Sequence, residues 1–492
     1  MRTLLVTFAS LAAACGSVQS ADQCCVDEAD CALIKSQVVL PCETGQVCTA
    51  QHECVVAECR TSMDCSAEAP ICRVGFCESV CLGEEDCADV AGRTHCSPDG
   101  ACVGCVDSTH CSGNTAFCDA EDSVCRGCER DNECASGVCI ESEGICALEA
   151  DILYVATGPD TGDCTKLQPC STLGYAVSKI TPGSSRHVVR VEGGFANNES
   201  TTINVSTRVV IDGTGTRVQK PTSALPWMSV SGAGQAILGG LTIEGDSSMS
   251  NPNIRVMNAA LTLGPNTTLK SYAQVSSGTL VVHQATVDDG AVGCTSGTLT
   301  IDRATFDDSA VHALNCQLSI HRSRFTKGSD GILEVTGGKA TVENSLFVNT
   351  YEFSDSLRIT SAAPGSSFRF NTVANLSGIN SDGVALSCDA NLKVSSNIFA
   401  YRSQHPLGYQ PACTAEFSIF DDHALASALT SSDSQFVPFT SIFTDPVGRD
   451  FTLSASSAAR NAADPTITDV LIDIDGRGRP VGAADAGAFE AP

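Results

Sequence analysis

Residues 279–325 read TLVVHQATVDDGAVGCTSGTLTIDRATFDDSAVHALNCQLSIHRSRF, and the segment carries one pattern repeatedly. Leu261, Leu280, Leu299 and Leu318 stand 19 residues apart. Each opens a short alternating run: Leu261-Thr262-Leu263, Leu280-Val281-Val282, Leu299-Thr300-Ile301 and Leu318-Ser319-Ile320. Alternation with period two marks strands that bury one face. Seven residues past the lead come Phe306 and Phe325, with Val287 one rung earlier. Looser turns begin at Ala340, Phe368 and Leu392, and Phe347 and Phe399 continue the aromatic position. A unit this small cannot close a core alone, so its apolar faces are buried by stacking on the next unit, as in a solenoid. Stacked rungs about 4.8 Å apart would carry the leucines and phenylalanines in interior columns. Leucine-rich repeats fit less well, because no Leu-x-x-Leu-x-Leu consensus recurs. The expected fold is all-β: a right-handed parallel β-helix solenoid over 149–440, preceded by a disulfide-rich, irregular repeat region over 21–148. The exception within the second half is 171–179, read as a short helix at its start.

The cysteines are segregated. Of 29, 23 lie before residue 147. They form quartets: Cys59/Cys65/Cys72/Cys77, Cys81/Cys87/Cys96/Cys102, Cys105/Cys111/Cys118/Cys125 and Cys128/Cys134/Cys139/Cys146, after a less regular unit that begins at Cys25. Units of about 22 residues cannot bury a core, so cross-links must stabilise them. Disulfides persist in oxidising compartments, which makes the chain an exported one and disfavours zinc. Just before the second cysteine stands Asp64, Asp86, His110 or Glu133, a residue suited to capping backbone amides of a tight turn. In the second half, Cys164–Cys170, Cys388–Cys413 and Cys294–Cys316 are the expected pairs.

The N-terminus supports export. Arg2 precedes an apolar run from Leu4 to Ala14, too short to span a bilayer and shaped like a signal peptide over 1–20. Leu11-Ala12-Ala13-Ala14-Cys15 resembles a bacterial lipobox, which implies lipidation of Cys15, although Ala12 stands where the family usually has Leu. Setting Cys15 aside leaves an even number of cysteines. The net charge is −28, and 16–150 alone holds 25 acidic residues against six basic ones. Such a balance disfavours nucleic acid and anionic lipid headgroups as partners.

Three further resemblances bear on function. The cysteine array is similar to small extracellular repeats, including the Dickkopf-type module. Asp151-Ile152-Leu153-Tyr154-Val155, Gly158-Pro159-Asp160, Cys164, Pro169-Cys170 and Thr172-Leu173 resemble the start of bacterial pectin-lyase-like β-helix proteins. The end, 441–492, resembles the choice-of-anchor Q domain through Asp473-Ile474-Asp475-Gly476, Arg479-Pro480, Gly482, Asp485, Gly487-Ala488 and Glu490, with Phe443-Thr444-Asp445-Pro446 upstream. Where that family reads Pro-Ala-Ile-Asp-Ala-Gly, this chain has Ser457-Ala458-Ala459-Arg460-Asn461-Ala462. The resemblance implies a surface protein; with no sorting tail before Pro492, the N-terminal lipid is the expected anchor, in the outer membrane.

Chemistry has two candidate columns. Asp288-Asp289 and Asp307-Asp308 repeat at the rung interval and would repel strongly, so they either hold calcium or form a solvated edge; the edge is the simpler reading. Asp302, His321 and Glu343, flanked by Arg303 and Arg322, could serve proton abstraction with either arginine as base, but a salt-bridged surface is the simpler reading. Long glycan sites usually offer stacking rings, and this chain has one Trp (Trp227) and six Tyr. No catalytic residue or cofactor is therefore assigned. The expected function is a non-enzymatic cell-surface lipoprotein whose β-helix displays, adheres or binds an extracellular glycan or protein. The alternative is a secreted polysaccharide lyase or glycoside hydrolase.

Overall fold

Alternating runs of the kind at 279–283 become the first of three strands in each rung. One rung runs 279–283, 286–288 and 291–295, and the next 298–302, 305–307 and 310–314. The computed structural model describes residues 46–491 apart from 49–53, 58, 60–63, 67–68, 70, 74–75, 79, 89, 91, 114, 120–122, 142, 193–195, 199–201, 220–225, 246–250, 328–330, 350–356, 376–383, 402–405, 409–412, 423, 425–430 and 481–482. The signal segment and Cys15 lie outside the described residues. No described helix is long and apolar enough to cross a membrane. The chain divides into two compact units, Met1–Gly127 and Cys128–Pro492.

In the second unit every rung stacks on the next in parallel register: Leu261 on Leu280, Leu280 on Leu299, Leu299 on Leu318 and Leu318 on Ala340. First and second strands belong to a 23-stranded sheet and third strands to a nine-stranded one. The protein is thus a parallel β-helix. Its interior is one apolar core with an aromatic stack, in which Phe306, Phe325 and Phe347 lie 4.6 and 4.7 Å apart. The turn expected at Phe368 begins two residues earlier, since Ser366 pairs with Leu392. Phe368 nevertheless fills the stack between Phe347 and Phe399, beside the smaller Val373. A second interior column is polar. Ser323, Ser345, Asn371, Asn397 and Ser418 each accept a backbone N–H from the rung before, so a buried corner leaves those amides paired.

The rungs turn at residues with left-handed backbone. Ser277, Ser296 and Asn315 mark one corner, Asp289 and Asp308 a second, and Gln284, Arg303, Arg322 and Asn344 a third. Asn and Asp tolerate this conformation best, which accounts for part of the acidic ladder without any ligand. The expected helix forms at Leu173–Ser178, where the Thr172 hydroxyl accepts the Tyr175 amide at 3.2 Å.

Both ends of the β-helix are covered from outside. Residues 442–489 bury Ile442, Phe443, Phe451, Leu453 and Phe489 against Leu346, Val348, Ile398 and Ile419 of the second strands. At the start, Val138, Ile140 and Ala147 bury against Ile152, Tyr154, Val188, Val210 and Ile237. Spacing groups the fourth cysteine quartet with those before it, whereas packing groups it with the rungs.

All four quartets are bonded alike, first to third and second to fourth. The third and fourth cysteines face each other across a short hairpin, as Cys72 does Cys77 and Cys118 does Cys125. They therefore lie together and reach the first two in parallel. The residue before the second cysteine caps an amide four residues upstream: Asp86 accepts Leu82 N–H at 2.7 Å, His110 accepts Val106 N–H at 3.1 Å and Glu133 accepts Glu129 N–H at 2.8 Å.

Candidate functional site: a charged groove on the first strands

The outward positions of the first strands form two columns. One is small and uncharged: Val281, Thr300, Ser319, Thr341. Beside it runs His283, Asp302, His321, Glu343 and Arg369, each in register with the next. Segment 469–472 forms a wall over this column and leaves a groove of about 460 Å³.

Within the groove the charges are locked together. Asp302 accepts from Arg322 at 2.7 and 3.1 Å, from Arg303 at 3.2 Å and from His283 Nδ1 at 3.2 Å. Arg303 also donates to His283 Nε2 at 3.1 Å, which leaves the His283 proton on Nδ1. Burial alone would raise the Asp302 carboxyl, but His283, Arg322 and Arg303 outweigh it and hold it well below the usual carboxylate range. Glu343 follows the same logic. Burial pushes it up, while His321 and Arg369 hold it down more strongly. Arg369 spans Glu343 and Asp469, reaching the latter at 3.0 Å.

Of the sequence candidates, the groove brings together Asp302, His321, Glu343, Arg303 and Arg322. His283, Arg369 and Asp469 complete the set. The first two lie at the same strand position one rung outward on either side, a signal that was available. Asp469 lies 100 residues from Arg369, and no spacing predicts it.

The acidic ladder is placed differently. Asp288 pairs with Lys270 at 2.6 Å, and Asp289, Asp307 and Asp308 are exposed. Among the described residues these four do not bring three ligand atoms within 4.8 Å of one another. The cysteines that do so are disulfide-bonded. Glu84, His95 and His110 also cluster. The Val106 amide occupies the His110 Nδ1 lone pair, so the neutral ring carries its proton on Nε2 and has none left for a metal.

The disulfides of the β-helix join Cys164 to Cys170, Cys294 to Cys316 and Cys388 to Cys413, with Cα separations of 4.9, 6.2 and 5.7 Å. The C-terminal motif residues meet in a buried knot. Arg479 donates to Glu490 and Asn344, both at 2.9 Å, and to the Gly487 carbonyl at 2.8 Å, while Asp473 accepts the Glu490 amide. Those residues fasten segment 473–490 to the rungs.

No protein-family model matches this chain, and no curated protein matches it. Among solved structures it is similar to the crystal structure of pectate lyase Pel9A, at 13% identity and a TM-score of 0.34, over 69% of this chain and 96% of that one. At that score the likeness adds nothing to the fold, which rests on the strand pairing itself.

Proposed function

We propose that the protein is an exported, non-enzymatic β-helix that binds an extended glycan along the 281–343 groove. The observation that carries this reading is the saturation of the groove's charges. Arg303, Arg322 and Arg369 are each held by carboxylates, so none is poised to take a proton. Asp302 and Glu343 are held ionised, so neither suits a general acid, whose carboxyl must sit high. Fixed donors and acceptors beside a strip of small side chains, among them the hydroxyls of Thr300, Ser319 and Thr341, instead suit recognition of a hydroxyl-rich chain. The observation favouring cleavage is the His283–Asp302 pair, which would form a base if Arg303 released Nε2. Glycan-array binding by the wild type, weakened in Arg322→Ala, supports the proposal; an unsaturated, ultraviolet-absorbing product from a polyuronate would replace it with the lyase reading.

In this reading the molecule is a surface lipoprotein of the choice-of-anchor Q kind, held to the outer membrane through lipidated Cys15. Gly16 lacks the acidic character associated with retention at the inner membrane. Cys15→Ser should release the protein to the soluble fraction, and unchanged fractionation with no acyl mass would overturn the anchor.

A further inference from the structure

The outer face of the first strands has a second concavity, among the earliest rungs. The fourth cysteine quartet and its flanks overhang Val210, Ile237, Gly239 and Gly240 and enclose a cavity of about 450 Å³. That size, with apolar walls and a few convergent polar groups, is typical of small-molecule sites. Gly239 and Gly240 present no side chain there, so the floor is open backbone. Arg190, Asp212 and Gly239 follow one another in register.

Asp212 is the unusual group. It is only 9% exposed, and its Oδ2 accepts from Arg190. Arg190 is shared with Asp131 at 2.6 Å. Among the described residues no donor reaches Asp212 Oδ1, which points across Gly239, 3.9 Å from where a Cβ would stand. That oxygen belongs to the lining of the cavity and keeps lone pairs open to a ligand's donor, which would make a charge-assisted hydrogen bond there. Glu129, Asp131 and Glu141 surround the same space, and Arg130 is the further cation in its lining. Burial pushes Asp212 up to about 6, against the pull of Arg190, and raises Glu141 as well. Both shifts come first from burial, with neighbouring carboxylates adding to them.

We infer that this cavity is a binding site for a compact molecule bearing a primary amine, such as an amino sugar or a lysine side chain, whose ammonium group meets Asp212 Oδ1. An anion is excluded by the surrounding carboxylates. A metal ion fits poorly, because among the described residues no three of these carboxylates bring ligand oxygens within 4.8 Å of one another. An ammonium needs only one close oxygen and an acidic surrounding, which Asp212 and the lining carboxylates of Asp131 and Glu141 supply.

The test is calorimetric titration of the oxidised full-length protein with glucosamine and with Nα-acetyl-lysinamide, each beside its N-acetylated, uncharged counterpart. Both amines should bind near neutral pH, and acetylation should weaken them by about tenfold or more, the loss of a charge-assisted hydrogen bond. Asp212→Asn should weaken the amines about as much while leaving the acetylated forms unchanged. Gly239→Leu should block both forms; its backbone conformation admits a side chain, and far-ultraviolet dichroism checks its fold. Acidification through the Asp212 titration, which Arg190, Asp131 and Glu141 face, should also weaken amine binding. Equal affinity for amine and acetylated forms, or no binding of either amine to the wild type, overturns the inference.

Discussion

At the residue scale, the core and the groove make opposite kinds of demand. Phe347 is fully buried between Phe325 and Phe368. Phe347→Ala should cost about 3–5 kcal/mol, read as a lowered denaturation midpoint with unchanged slope. Asn371→Leu removes the acceptor of a buried Ser345 amide and should cost about 1–3 kcal/mol for the orphaned donor. The two depressed and raised carboxyls tilt acid stability in opposite directions. Asp302 sits below its unfolded value of about 3.9, so its contribution is present above that pH and lost as pH falls through the folded value. Asp212 sits above its unfolded value, at about 6, so the folded state binds the extra proton and this group's contribution grows as pH falls from 6 toward 4. Asp302→Asn should flatten the acid limb of a stability profile below about pH 4, and Asp212→Asn should remove a gain between about 4 and 6. A profile unchanged in both variants would contradict these assignments.

At the element scale, the regular rungs were legible because Leu, Val and Phe recur at a fixed interval between polar turns. Where the interval stretches, at Ser366, the lead residue is a buried serine and the eye moves to Phe368. The first rungs were harder for a different reason. Ile152-Leu153-Tyr154-Val155 and Val209-Val210-Ile211 are unbroken apolar runs rather than alternating ones. Such runs mark strands buried on both faces, and here the outer cover is the fourth cysteine module. The cavity beneath that module was invisible, since Asp131, Arg190 and Asp212 are far apart in sequence. The Arg479 knot could be seen only as a resemblance, for nothing in its spacing predicts Asn344 as a partner. The cysteine modules and the rungs are held by different forces, disulfides against stacked apolar columns. Reduction should therefore open 59–126 to proteolysis while the strand dichroism of the β-helix persists. Loss of both together would mean the rungs depend on the bridges.

At the scale of the whole molecule, one face of the β-helix carries both concavities. Ile237, Thr262, Val281 and Thr300 follow in register from the cavity under the fourth module toward the groove under segment 469–472. A rigid face with fixed polar groups suits a ligand longer than one rung, because each added rung presents the same strand geometry again. The account holds that the groove recognises such a chain and leaves it intact. The most direct measurement incubates the oxidised protein with polygalacturonate and alginate, with and without calcium, and follows binding and ultraviolet absorbance in the same samples. The account predicts no rise in absorbance with any polymer, and calls for binding by at least one glycan on an array that Arg322→Ala weakens. A rise abolished by Arg303→Ala, Arg322→Ala or His283→Ala would contradict it and make the groove an active site.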